Sequence, residues 1–418
     1  MAAARRLAAP VGSSDQWHGP TPRGFATRRV GFCVALLTAA CFGAALAPAG
    51  RARAEEPEGP EEPEGPVVVI EERRLGLAPA RREPTVASSV RRAQDLGSPG
   101  GSAAEALALV PGVQISRSGG GSDLATASIR GATSAQTPIY LAGIRLNDDI
   151  TGTADLSLVP LWMIERVEVF RGNAPRDADR LGIGGAIFFE PVLPSRSRVG
   201  GGFGAGSFGE VAAWAAGSVG DERARAMIAL RRETAENDYP YGDDRGTGFD
   251  PKDDRVRYRT NADHIANDLW SIGRLQLGRA SILTVTNAFT RDQGVTGFGV
   301  IPATAARSHV QRWLGAVSAR APCADPAGGD GGDRCRIELV SSAILTGNLL
   351  SDPLRELGLL STRVASSGQR ISEEARLRYF LRDTVELGAG RTRQSRPRRR
   401  ARAHRRHRRP GLDGGPLP

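Results

Sequence analysis

Histidine, cysteine and clustered acids are the residues whose spacing could support catalysis or metal binding, and in this chain they do not converge. The five His (His18, His264, His309, His404 and His407) form no ligand cluster with Cys. Gly182-Ile183-Gly184-Gly185 precedes a strand-like run and no Gly-Lys-Ser/Thr follows it, so it is not a phosphate loop. The acidic stretch Asp238–Asp254 could hold Ca2+, but it lacks the D-x-D-x-D-G spacing and reads as a solvated loop. No nucleophile, base or metal set remains. The expectation is no enzyme, no cofactor and no metal.

Charge points to no nucleic acid either. The formal net charge is +10, but eleven Arg lie between Arg391 and Arg409, and the last 28 residues hold one acid, Asp413. Eleven minus one is the whole excess, so residues 1–390 sum to about zero. An Arg-rich nucleic-acid binder acting through the tail is the rival from another functional class. The neutral body and the lack of aromatics among those arginines oppose it.

The N-terminus has an export texture. Arg28-Arg29 is followed by an apolar run, Val30–Ala47, and by Ala52-Arg53-Ala54 before Glu55. A basic region, an apolar region and an A-x-A site describe a cleaved secretory signal, residues 1–54. The alternative is one membrane-spanning helix, which the Ala/Gly content and the cleavage motif oppose. Cys33 and Cys41 would leave with the signal. Cys323 and Cys335 then remain, flanking a Gly/Asp-rich turn, and an exported pair this close reads as one local disulfide.

Several distinct textures follow. Residues 55–83 form a linker whose first part, Glu55–Pro66, is acidic and Pro-rich and cannot bury enough apolar surface to fold. Within it, Val67-Val68-Val69-Ile70 is either a stray edge strand or a segment offered to a partner by strand addition. From Gly100 to Pro194 the pattern is compact α/β. Ser102 and Glu105 make a capping box that opens a helix through Val110, and Pro111-Gly112 stops it. Strands are expected at Val113–Arg117, Ala127–Arg130, Pro138–Leu141, Ile144–Leu146, Arg166–Arg171 and Ala186–Phe189, with a helix-like Leu158–Ile164.

After Ser195 the pattern is antiparallel and alternating. Ala224, Ala226, Ile228 and Leu230 share one face of a strand, with Arg223, Arg225, Ala229 and Arg231 on the other. Arg376, Arg378 and Arg382 oppose Ala375, Leu377, Tyr379 and Leu381 in the same way. Such alternation fits a half-solvated sheet or a transmembrane barrel strand. The loop rhythm favours the barrel. Short turns at Gly220-Asp221 and Gly278-Arg279 alternate with long loops Thr234–Tyr258 and Asp292–Ser308. The Cys323–Cys335 hairpin then falls on a short-turn side, and Thr346–Gln369 is a further long loop.

Residues 104–191 resemble the plug of TonB-dependent outer-membrane receptors, particularly the cobalamin-receptor-like and siderophore-receptor-like type. The matching pieces are EALALVPGVQISRSGG at 105–120, ASIRGATSAQTPIYLAGIRLND at 127–148, TGTADLSLVPLWMIERVEVFRG at 151–172 and IGGAIFF at 183–189. The loop at 237–264 also resembles an early barrel loop of such receptors, some of which bind Ca2+ there. The resemblance implies uptake of a scarce extracellular ligand across the outer membrane, powered by the TonB complex. Val67, Val68, Val69 and Ile70 would then be the TonB box. Arg130, Glu168 and Arg171 would latch the plug to the barrel wall, since a buried guanidinium needs its carboxylate; surface salt bridging is the alternative. Gly119, Gly120, Gly121, Ser122 and Asp123, with Thr151, Gly152 and Thr153, would be the apices that touch ligand, or plain turns. The partners implied are TonB, a small-molecule ligand and outer-membrane lipid.

Two departures accompany the resemblance. Asn173–Leu181 lacks the aromatic-Gly pair usual after the RG motif. The family barrel has twenty-two strands, and about eight are legible here, in residues 195–390. Closing eight strands leaves room only for their own side chains, not for a plug. At Gly390 the alternating texture gives way to Arg, Pro and Gly, as in out-of-frame reading of GC-rich DNA, which makes residues 391–418 a tail and suggests a truncated or frameshifted gene. A plug-only periplasmic binding module or a non-functional fragment are the alternatives. The expected architecture is an α+β plug at 84–194, a small mixed sheet with short helices, followed by a partial antiparallel transmembrane β-barrel.

Overall fold

The computed structural model describes residues 87–92, 102–118, 123–149, 151–172, 182–247, 249–298, 301–323, 335–382 and 385–395. The signal region, Val67–Ile70, Gly119–Ser122, Asn173–Leu181 and the tail beyond Ser395 lie outside these residues.

The first layer is the expected small mixed sheet. In chain order its pieces are β1 (Ala87–Arg92), α1 (Ala103–Ala108), β2 (Val113–Arg117), β3 (Ala125–Ile129), β4 (Ile139–Leu141), β5 (Ile144–Arg145), β6 (Ile164–Arg171) and β7 (Gly185–Pro191). Helix α1 starts where its capping box dictates: Ser102 Oγ accepts from Glu105 N at 3.2 Å, and Glu105 accepts from Ser102 N at 3.1 Å. Strands β1-β6-β7-β4-β5 form one sheet, antiparallel except for the β4–β7 pair, while β2 and β3 form a separate hairpin. Ala142 and Gly143 both sit at positive φ in the β4–β5 turn, a conformation glycine adopts at little cost. The helix-like stretch Leu158–Ile164 is instead two short 3-10 turns, Leu156–Leu158 and Leu161–Met163, separated by Val159 and Pro160. Proline lacks the N–H an α-helix would need there. Strand β1 was not legible in the sequence; its run ASSVRR lacks an apolar alternation.

The second layer is a nine-stranded antiparallel wall. It consists of β8 (Arg198–Ala205), β9 (Val211–Gly220), β10 (Ala224–Ala235), then β13 (His264–Leu277), β14 (Ala280–Gly294), β17 (Arg307–Pro322), β18 (Cys335–Ser351), β19 (Arg363–Arg382) and β20 (Val385–Ser395). The long loops carry their own hairpins, β11 (Pro240–Asp243) with β12 (Arg255–Tyr258), and β15 (Gly297–Phe298) with β16 (Ile301–Pro302). Each wall strand pairs with its neighbour in sequence, and β8 and β20 are the edges of the described sheet.

Two boundaries differ from the sequence expectation. Thr346–Gln369 is mostly strand, with only residues 352–362 left as loop, because Thr346–Ser351 pair with Arg363–Gly368. Strand β20 runs to Ser395 rather than stopping at Gly390, its last residues pairing with Ile371–Ala375.

Register sorts the wall's two faces. Leu230, Leu269, Ala288, Trp313 and Leu345 sit side by side on five successive strands, all on the outer face. Two residues along, the same face carries Arg232, Asn267, Thr290, Gln311 and Gly347. An apolar band therefore ends abruptly in a polar row. The inner face carries Met227, Ala229, Trp270, Ile272, Val285, Leu314, Ala316 and Ile344, which share one buried apolar cluster with Leu107, Ile129, Leu141, Leu156 and Val169 of the plug. The plug and the inner face of the wall are packed as one core.

Candidate functional site

The plug meets the wall along a seam built from one plug segment, residues 147–162, and three wall side chains, Asp268, Arg291 and Arg370. Asn147 anchors the first part. Its Oδ1 accepts Ile139 N at 2.8 Å, and its Nδ2 donates to Thr137 O at 3.0 Å and Gly152 O at 2.8 Å. This ties strand β4 to the following loop. The Asn147 carbonyl, so fixed, accepts Arg370 Nη2 from β19 at 2.9 Å. Asp149 lies between two guanidinium groups, Arg145 of the plug at 3.6 Å and Arg370 at 3.8 Å.

The second contact follows from a cap. Asp155 precedes the Leu156–Leu158 turn and accepts Ser157 N at 3.0 Å, Ser157 Oγ at 2.7 Å and Ala125 N at 3.2 Å. That leaves the Ser157 carbonyl and hydroxyl oxygens presented to the wall. Arg291 of β14 donates to both, from Nη1 to the carbonyl at 3.2 Å and from Nη2 to the hydroxyl oxygen at 3.0 Å. The third contact is Trp162, whose indole N–H donates to Asp268 Oδ2 of β13 at 2.7 Å. Asp268, Arg291, Arg312 and Arg370 are all buried on the inner face. Charges removed from water persist only when hydrogen-bonded or paired, so their placement fixes where a complementary plug must sit.

Two carboxylates outside the spanning strands have shifted acidity. Asp221, in the β9–β10 turn, is held below the usual carboxylate range by the N–H groups of Ala224 and Arg223. Glu356 is lowered by the backbone N–H groups of Ala305 and Thr304, then by the Thr304 hydroxyl. It clasps the 352–362 loop to the segment before β17, with contacts of 2.9, 2.9 and 2.7 Å.

The residues singled out in the sequence are placed as follows. Thr151, Gly152 and Thr153 lie in a tight loop in which Asp148 Oδ1 accepts Thr151 N at 3.0 Å and the two Thr hydroxyls are 3.0 Å apart. Asp123 is half-buried, the rest of its glycine loop being outside the described residues. Arg130 has φ 51° and is exposed, its guanidinium beside Gly172. Arg171 donates to Pro111 O at 3.1 Å, and Glu168 pairs with Arg166 at 2.9 Å. Those contacts are inside the plug. Cys323 and Cys335 are disulfide-bonded, with Cα atoms 5.2 Å apart. In the acidic loop, Asp243 pairs with Arg257 at 3.0 Å and Asp253 accepts the Thr247 hydroxyl at 2.9 Å. Among the described residues no group of three or more His, Cys, Asp or Glu is placed to hold a metal ion.

The seam residues Asn147, Ser157, Trp162, Asp268, Arg291 and Arg370 were not singled out from the sequence. The signal available was a Trp and buried-type charges on the lumen-facing register of wall strands, where an ordinary sheet would carry apolar residues.

Comparison with known proteins agrees with this geometry. Residues 79–186 match the TonB-dependent receptor plug domain family. The chain is 31% identical over 94 residues to the vitamin B12 transporter BtuB of Vibrio vulnificus, covering 22% of this chain and 15% of that protein. It is 34% identical over 138 residues to BtuB of Photobacterium profundum, covering 32% and 22%. Among solved structures, the FrpB iron transporter of Neisseria meningitidis (F3-3 variant) superposes with a TM-score of 0.58 at 12% identity, over 73% of this chain and 48% of that one. The copper transporter OprC gives 0.54 at 14% identity, over 77% and 48%. The chain thus spans about half the length of the solved structures it resembles, and its alignments cover less than a quarter of the curated relatives. Residues 79–186 thus match the TonB-dependent receptor plug domain family, and the strands after them share the fold of the wall that surrounds the plug in those solved structures.

Proposed function

We propose that the chain acts in the outer membrane as a TonB-dependent receptor for energised uptake of a scarce ligand such as a siderophore or cobalamin. The observation that carries this reading is the plug domain docked on the inner face of an antiparallel wall whose opposite face is an apolar band. That band, closed by Trp313 and its neighbours beneath a polar row, is the lipid-facing surface. The export signal at residues 1–54 delivers the chain, and Val67–Ile70 offers a strand to TonB. The loops at Gly119–Asp123 and Thr151–Thr153 contact ligand, and Arg130, Glu168 and Arg171, whose contacts named above lie inside the plug, latch it to wall strands beyond the nine described.

Transport applies to a closed wall. Both sheet edges, β8 and β20, must be paired in lipid, where each bare backbone group costs several kcal/mol. The test is uptake of labelled iron chelates, cobalamin and sugars by cells carrying the chain together with strands that close the wall. Accumulation of one candidate that stops when TonB is deleted is the expected result. Equal uptake with and without TonB would overturn the reading.

A further inference from the structure

Asp268 stands on the inner face of β13 and is 6% exposed. Its carboxylate takes three N–H donors: Asn287 Nδ2 to Oδ1 at 2.6 Å, Trp270 Nε1 to Oδ2 at 2.9 Å, and Trp162 Nε1 to Oδ2 at 2.7 Å. The first two come from the wall itself; the third crosses from the plug. Arg312 donates to Asn287 Oδ1 at 3.1 Å, which turns the Asn287 amide nitrogen toward Asp268. The wall thus orients this carboxylate without help from the plug.

We propose that Asp268 is a preassembled socket for the Trp162 indole N–H, and that this pin sets where the plug seats in the wall. Apolar packing across the seam is non-directional and tolerates sliding. A hydrogen bond to a carboxylate is short, directional and stronger than a neutral one, so it selects one position. Trp162 is held for the task by the Pro160-capped turn at its own position and by Trp214 of β9, whose ring centroid is 6.5 Å away. The pin is also reversible. When Trp162 leaves, Asp268 keeps Trp270 and Asn287, so the wall is not left with a bare buried charge. Asp268 is therefore a positioning residue for the plug cycle.

The proposal rests on the docked-plug reading above. It is tested on the full chain in detergent micelles, with neither ligand nor TonB, by amide hydrogen exchange of Trp162→Phe, Asp268→Asn and the double variant. Trp162→Phe keeps an aromatic ring and removes the N–H. The expected result is about ten- to hundredfold faster exchange in residues 156–164, with β13 and β14 unchanged. Asp268→Asn should do the same to the plug, and the double variant should add nothing further. An unchanged plug in Trp162→Phe, or additive effects in the double variant, would overturn the pin. Such a failure leaves the uptake experiment untouched, because no transport component enters this measurement.

Discussion

Arg291 of the wall and Ser157 of the plug, 134 residues apart in sequence, are joined by two hydrogen bonds from one guanidinium. The relationship works because Asp155 has already turned the Ser157 oxygens outward. A local cap thereby becomes a tertiary contact, and the forked geometry of Arg matches two acceptors that Lys could not both reach.

Arg291→Ala should destabilise plug docking by about 2 kcal/mol, and Arg291→Lys should recover less than half of that loss. Limited proteolysis of the plug at increasing urea reads the difference. Full recovery by Lys would show that charge alone, not the fork, matters.

Asn147→Ala removes the partner of the buried Ile139 N–H and of two carbonyl groups, for an expected cost of about 3 kcal/mol. Urea denaturation followed by tryptophan fluorescence measures it. A loss under about 1 kcal/mol would mean that solvent replaces the clamp, contrary to its burial.

The Glu356 clasp should depend on pH in one direction only. A carboxyl whose folded pKa is depressed contributes fully above its unfolded value and loses that contribution as pH falls through the folded value. The clasp should therefore hold from neutral pH down through 4.5, the ordinary value of this carboxyl, and open only below it. Amide resonances of Thr304 and Ala305 report this, and a midpoint near or above about pH 5 would contradict the account.

The outer face should discriminate charge by height. Leu269→Arg, within the apolar band, should cost about 2–4 kcal/mol of folding in lipid, whereas Gln311→Arg, in the polar row, should cost less than about 1 kcal/mol. Equal costs, measured by denaturant titration in bilayers, would remove the case for a lipid-facing band.

How much of this was legible in the sequence depends on the range of the interaction. The capping box at Ser102 and Glu105, strand Val113–Arg117 and the Gly143 turn are local and were read correctly. So were the two faces of β10, where Ile228 and Leu230 are exposed and Ala229 is buried. The ends of β18 and β19 were read as loop because Ser366, Ser367 and Gly368 look like turn residues. They are strand because Asn348, Gly347 and Thr346 lie opposite them. The seam was not legible at all. Arg370 and Asn147 are 223 residues apart, Trp162 and Asp268 are 106 apart, and no local pattern encodes a meeting at that distance.

The function proposed above requires that TonB work this plug through Val67–Ile70. Site-directed cross-linking tests it directly: Val68→Cys against a single cysteine in the partner-binding strand of TonB, in the cell envelope. A disulfide-linked adduct that disappears when Val69→Pro removes a backbone donor is the predicted result. No adduct, or an adduct indifferent to that proline, would contradict the account.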